Sequence, residues 1–209
     1  MPLFHKEEIA NGVSMAIWKI EESLEALSML YAPSGEETKS LESTKIESKK
    51  LEWLSARLAL KALLPNTDYE VVKNEFGKPH LTLQGLEISI SHTKGYAAAA
   101  LSTKKPIGID IEHERPQILR IAHKFLHESE KAWAGEDITK LTQIWCAKEA
   151  LYKLHGRTQL IFAEQLKVNP PDTNVTSTGE ILEHGESCSF QLHWEQHNEF
   201  WSCIVHVNK

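Results

Sequence analysis

The sequence predicts an α+β fold, and three observations carry that reading. The order strand, helices, strands recurs about twice along 209 residues, with a join near residues 102–106. Apolar residues alternate with polar ones in both halves, as at Leu86, Ile88 and Ile90 and again at Ile107, Ile109 and Ile111, the period of a strand with one buried face. Between such runs lie apolar stripes at helical spacing, of which Leu51, Leu54, Leu58 and Ala62 form one.

Taken in order, residues 13–20 (Val-Ser-Met-Ala-Ile-Trp-Lys-Ile) read as a strand, and Leu24, Leu27 and Leu30 as a short helix. Pro33-Ser34-Gly35 is a break. Helical period returns from Ile46 to Leu64 and stops at Pro65-Asn66. Val71-Val72 and Leu81 to Ser91 are expected as strands on either side of Gly77-Lys78-Pro79. The small apolar run from Tyr96 to Leu101 suits a buried strand, which Lys104-Lys105-Pro106 separates from the strand Gly108-Ile109-Asp110-Ile111-Glu112. Helical patterns follow near 116–134 and 138–155, the second with Ile144, Ala147, Leu151 and Leu154 inward. Beyond Gly156 strands are expected at 160–168, 187–194 and 200–207, with turns at Pro170-Pro171 and Gly185. The division into lobes falls at 1–103 and 104–209.

Composition narrows the function. Apolar and charged fractions of 41% and 25% are those of an ordinary globular protein. The net charge of −6 argues against nucleic-acid binding through a broad basic surface. Three scattered cysteines (Cys146, Cys188, Cys203) are too few for a disulfide framework or a zinc site, so reduced thiols are expected. No run has signal-peptide or membrane-span length, which makes a cytoplasmic protein without a membrane partner the expectation.

Chemistry concentrates in two segments. On the 107–112 strand, Gly108, Asp110 and Glu112 share the face opposite the isoleucines. In Trp145-Cys146-Ala147-Lys148-Glu149-Ala150-Leu151-Tyr152-Lys153, Glu149 and Lys153 stand four apart on one helix face. An isolated Asp-x-Glu is usually a solvated strand edge, and a Lys-Glu-x-x-x-Lys run a solvated helix face. Together, three carboxylates and a lysine suit a divalent cation holding a phosphorylated substrate. Gly108 removes a side chain where something approaches closely. Ser91-His92-Thr93, at a strand end, offers hydroxyl and imidazole contacts to phosphate or ribose. Arg57 and Lys61, one helical turn apart, would ordinarily be solvated but could position a terminal phosphate.

These residues together resemble a known family. Trp-Leu-x-x-Arg (53–57), Gly-Lys-Pro (77–79), Ile-Ser-His (90–92), Pro-Ile-Gly-Ile-Asp-Ile-Glu (106–112) and Trp-x-x-Lys-Glu-Ala-x-x-Lys (145–153) look like the 4′-phosphopantetheinyl transferases of the surfactin-synthetase-activating type. The resemblance covers roughly residues 53–153 and implies two similar lobes in a pseudo-two-fold arrangement, with coenzyme A and magnesium between them. It implies magnesium ligation by Asp110, Glu112 and Glu149, and catalysis by Glu149 and Lys153. It also implies coenzyme A contacts by Lys153, Arg57, His92, Lys78 and Ser91, the arginine and histidine holding the 3′-phosphate. Thr93 stands where the family usually has serine and keeps the hydroxyl. In Phe125-Leu126-His127-Glu128-Ser129-Glu130, either Glu128 or Glu130 fits an acidic family position, Glu130 by the better spacing. The implied reaction moves the 4′-phosphopantetheine arm of coenzyme A to a serine of an apo acyl or peptidyl carrier protein, with Glu149, Glu130 or metal-bound water as base and a monomeric enzyme. The segment Ile118-Leu119-Arg120-Ile121 with Lys124 and Phe125 is the candidate carrier contact. A magnesium-dependent nucleotide pyrophosphatase and a non-catalytic binding module are the alternatives.

Overall fold

The computed structural model describes residues 2–103, 105–156, 159–171 and 175–207. Its first half runs β1 (Leu3–Ala10), β2 (Val13–Lys19), α1 (Leu24–Tyr31), α2 (Gly35–Ser43), α3 (Glu47–Leu63), β3 (Val71–Lys73), β4 (Pro79–Leu81), β5 (Leu86–Thr93) and β6 (Tyr96–Thr103). The second half runs β7 (Ile107–His113), α4 (Ile118–Phe125), α5 (Glu128–Ala134), α6 (Ile138–His155), α7 (Phe162–Gln165), β8 (Leu166–Val168), β9 (Thr176–Glu183), β10 (Glu186–Gln196) and β11 (Phe200–His206). One sheet has the order β1-β2-β6-β5 and the other β7-β11-β10-β9-β8, both antiparallel, while β3 and β4 form a separate hairpin. The α+β class read from the sequence is the one observed.

The two sheets pack face to face because each presents an apolar row. Ile107, Ile109 and Ile111 of β7 are fully buried against Val13, Met15 and Ile17 of β2 and Ala98 and Ala100 of β6. At roughly 1.5–3 kcal/mol for each buried isoleucine, this layer is a main source of cohesion between the halves. The alanine run in β6 keeps that strand thin. Ala98 and Ala100 face β7, while Ala99 faces Leu54 and Leu58 of α3 on the other side. On the outer face of the second sheet, Ile144, Ala147 and Leu151 of α6 pack on Leu192, Cys203 and Val205. The section is therefore helix, sheet, sheet, helix.

Gly108 explains how closely α6 sits on β7. A Cβ at that position would collide with the Ala150 carbonyl oxygen and lie 2.9 Å from Leu154 N. The close approach expected there is the backbone of α6 itself. Asp137 caps the start of α6 by accepting from Lys140 N, and Gly156 ends it in the left-handed region at φ 73°.

Several elements differ from the sequence reading. The helical pattern of 116–134 is two helices, because His127 opens α5 with a reciprocal capping box to Glu130. The break at Pro33-Ser34-Gly35 is also a start, with Ser34 capping α2. The strand expected over 160–168 shrinks to Leu166–Val168. Phe162 instead begins a helical turn, where its ring packs near Trp145 and Tyr152 and its carbonyl takes the Lys148 ammonium. β1 and β9, polar on much of their surface, had no strand signature. Lys104, in the expected break before β7, lies outside the described residues.

Candidate active site

β7 and α6 deliver the acidic cluster, since Gly108 lets the helix settle directly over the strand face that carries Asp110 and Glu112. Asp110 is its centre, only 5% exposed. Its Oδ1 accepts from Ser91 Oγ at 2.7 Å and from Lys153 Nζ at 2.7 Å. The same ammonium donates to Ser91 Oγ at 2.9 Å and to the Ile109 carbonyl at 3.1 Å. Asp110 Oδ2 is buried and has no hydrogen-bond partner among the described residues. A bare carboxylate oxygen in low dielectric seeks a cation or a donor.

The neighbouring carboxylates strain against one another. Burial, and then the charge of Asp110, push the Glu149 carboxyl up to about 7, against the pull of Lys153. The same two causes raise Glu112, which accepts from Trp145 Nε1 at 3.4 Å and stands 3.8 Å from Arg115. Among the described residues these three acids do not draw their oxygens together within 4.8 Å. They share one electrostatic neighbourhood without being closed on one another. Lys153, four residues from Glu149, pairs with Asp110 across the strand.

A basic pocket adjoins this cluster. Arg57 of α3 and His92 of β5 line it together with Thr44, Lys49, Trp53, Lys73, Pro79 and Ile90. Arg57 is 6% exposed, its guanidinium lies 4.6 Å over the Trp53 ring, and its Nε sits 3.5 Å from Glu37 Oε1. His92 is half exposed and lies 3.4 Å from Glu52 Oε2; burial is the first cause lowering its pKa. A groove continues from His92 and Lys49 to Glu112 and Arg115, and beyond them a depression is lined by Ile118, Ile121 and Trp145. Lys78 reaches across the join of the sheets. Its Nζ donates to the Leu154 carbonyl at 2.8 Å, the charge favoured at a helix C-terminus, and it lines a cavity with Tyr152 and Lys153.

The family model described as "ACPS: 4'-phosphopantetheinyl transferase superfamily" matches residues 106–205, from the strand that holds Asp110 through β11. Over these residues, just under half of the chain, the protein is similar to the 4′-phosphopantetheinyl transferase superfamily. The 4′-phosphopantetheinyl transferase gsp of Aneurinibacillus migulanus is 31% identical over 103 residues, covering 47% of this chain and 43% of the relative. The transferase Sfp of Bacillus subtilis strain 168 is 31% identical over 100 residues, 45% of this chain and 44% of the relative. Another Bacillus subtilis 4′-phosphopantetheinyl transferase is 28% identical over 120 residues, 54% of this chain and 53% of the relative. The chain thus spans about half the length of these curated relatives.

The structure corrects three readings of the sequence. Glu130 is no candidate base. It is fully buried, with Oε2 accepting from His127 N and Oε1 from Val168 N, and its Oε2 pairs with Lys148 Nζ at 2.8 Å. Glu128 is exposed and paired with Lys131. Lys148 is likewise not part of a solvated helix face, being completely buried. Arg57 and Lys61 also part company. Arg57 is buried where solvation is usual, whereas Lys61 turns to the Leu30 and Tyr31 carbonyls. The sequence reading missed Lys49, Lys73 and Arg115 in the cleft. Arg115 alone had a local signal, three residues beyond Glu112.

Proposed function

We propose that this chain transfers the 4′-phosphopantetheine arm of coenzyme A to a serine of an apo acyl or peptidyl carrier protein, releasing adenosine 3′,5′-bisphosphate. The observation that carries the reading is Asp110: one oxygen saturated by Ser91 and Lys153, the other buried and bare, beside two carboxyls raised first by burial and then by its charge. Such a set suits a divalent cation, and Asp110, Glu112 and Glu149 would hold magnesium. When bound, it would neutralise charge on the phosphate oxygens.

The chain's own groups do the rest. Arg57 and His92, with Lys49 and Lys73 beside them, would take the 3′-phosphate. Lys153 and Ser91 would set the pyrophosphate against Asp110, and Lys78 would hold the nucleotide side of the cleft against the end of α6. The carrier serine oxygen attacks the β-phosphorus, the bond from that phosphorus to the bisphosphate's oxygen breaks, and the serine proton must leave. With Glu130 sealed in the core, Glu149 is the protein group left at the cleft to receive it.

We place the lobes at residues 1–103 and 104–209 and read the protein as a cytoplasmic monomer without nucleic-acid or membrane partners. Among the described residues no helix is long and apolar enough to cross a membrane. The test is a panel of purified apo-carriers with coenzyme A and magnesium, read by mass gain of the pantetheine arm. Asp110→Ala and Glu149→Ala should fold and lose transfer by several orders of magnitude. Coenzyme A cleaved by water alone, with every carrier unmodified, would replace the transferase with a pyrophosphatase.

A further inference from the structure

Two strands from β7, where the N-terminal strand meets β10 of the second sheet, lies a second group of ligating side chains. His5 Nε2 of β1 stands 3.4 Å from Glu7 Oε2 on the same strand and 3.2 Å from Glu195 Oε2 on β10. The three atoms lie within 4.8 Å of one another, the group that gathers in this way among the described residues. One imidazole N–H can serve one oxygen. Its hydrogen-bond geometry goes to Glu7, which leaves Glu195 Oε2 buried with no hydrogen-bond donor among the described residues.

The spacing is that of a metal site. Four ligands about 2.0–2.1 Å from zinc lie about 3.3–3.4 Å from each other at tetrahedral angles. The two measured edges, 3.2 and 3.4 Å, bracket that length. Nitrogen and carboxylate donors without thiolate suit zinc among the first-row cations. His197 stands behind the cluster, its Nε2 3.7 Å from Glu195 Oε2 and 3.1 Å from Ser202 Oγ.

We propose that His5, Glu7 and Glu195 form a zinc site, completed by water on the open side at Glu7, which fastens β1 of the first sheet to β10 of the second. It is separate from the magnesium cleft, which uses β7 and α6. The competing account is a protonated His5 bridging two carboxylates with no metal at all.

Zinc titration of the full chain in excess magnesium, which keeps the cleft filled, separates the two. A zinc site predicts about one tight equivalent and a melting temperature that rises with free zinc, because the metal binds the folded state alone. His5→Gln and Glu195→Gln should weaken that equivalent by about tenfold or more and remove the rise. His123→Gln, an exposed histidine elsewhere, should change neither. Should either cluster variant fail to fold without metal, cobalt(II) added to the unaltered protein decides: four-coordinate visible bands support the site. A six-coordinate spectrum, or equal zinc binding by all variants, overturns it and leaves an ion pair.

Discussion

Lys148 tests whether the signature helix carries structure as well as chemistry. Its ammonium donates to the Phe125 carbonyl at 2.6 Å and the Phe162 carbonyl at 3.0 Å and pairs with Glu130 at 2.8 Å, with no exposure on either partner. Burial lowers its pKa to about 8 in spite of Glu130, so the desolvation cost is present and the pair only partly offsets it. Lys148→Met keeps the length of the side chain but strands a buried carboxylate and two carbonyls. Breaking such a pair from one side costs about 3–5 kcal/mol, a large share of the roughly 5–15 kcal/mol that holds a domain folded. At about 2–4 °C per kcal/mol the melting point should fall by roughly 10 °C. Adding Glu130→Gln should recover part of that loss, because the orphan charge is gone, although the amide's single oxygen can serve only one of the two backbone N–H groups that Glu130 accepts from. The measurement is urea unfolding of the two single variants and the double variant, with carrier transfer assayed where each is folded. The Michaelis constant for coenzyme A should stay near that of the unaltered protein. A Lys148→Met loss below about 1 kcal/mol, or strict additivity with Glu130→Gln, would refute the buried-pair argument.

Arg57→Ala or His92→Ala should weaken coenzyme A about tenfold to hundredfold and 3′-dephospho-coenzyme A little, since a charge-assisted phosphate contact is worth roughly 1.5–3 kcal/mol; equal losses by calorimetry would make both residues structural. Arg120→Glu with Lys124→Glu should raise the Michaelis constant for the carrier severalfold and leave that for coenzyme A unchanged. Leu119 and Ile121 beside them are exposed while Ile118 and Phe125 are core, so one side of α4 is free to dock. Tyr69 has a buried hydroxyl without a hydrogen-bond partner among the described residues, and burial raises its pKa from 10 to about 12. The folded state therefore holds this proton more tightly than the unfolded chain, and the stability it contributes is complete below pH 10 and lost as pH rises toward 12. Tyr69→Phe should match the unaltered protein near pH 7 and lose about 1 kcal/mol less between pH 9 and 11 in urea melts; parallel losses would refute the assignment.

Period and local chemistry determined much of this protein before any folding. Three alternating isoleucines make β7 a strand with one dry face, and so put Asp110 and Glu112 on the other. A 3.6-residue stripe places Glu149 and Lys153 on one side of α6, and the spacing of both motifs was enough to point to a cation and a phosphate. Strands without a period-2 signature were not legible in this way. β1 and β9 are held by pairing with their neighbours, an interaction between distant residues that leaves little pattern in the strand itself. Partner choice was likewise a tertiary decision. Helical spacing offers Lys153 to Glu149, but the glycine at 108 brings α6 so near β7 that Asp110 takes the ammonium instead. A lysine and a glutamate that look like solvated helix residues, Lys148 and Glu130, meet in the core only because α5 and α6 pack around β8. His5 and Glu195 stand at opposite ends of the chain and share a site only where the two sheets meet.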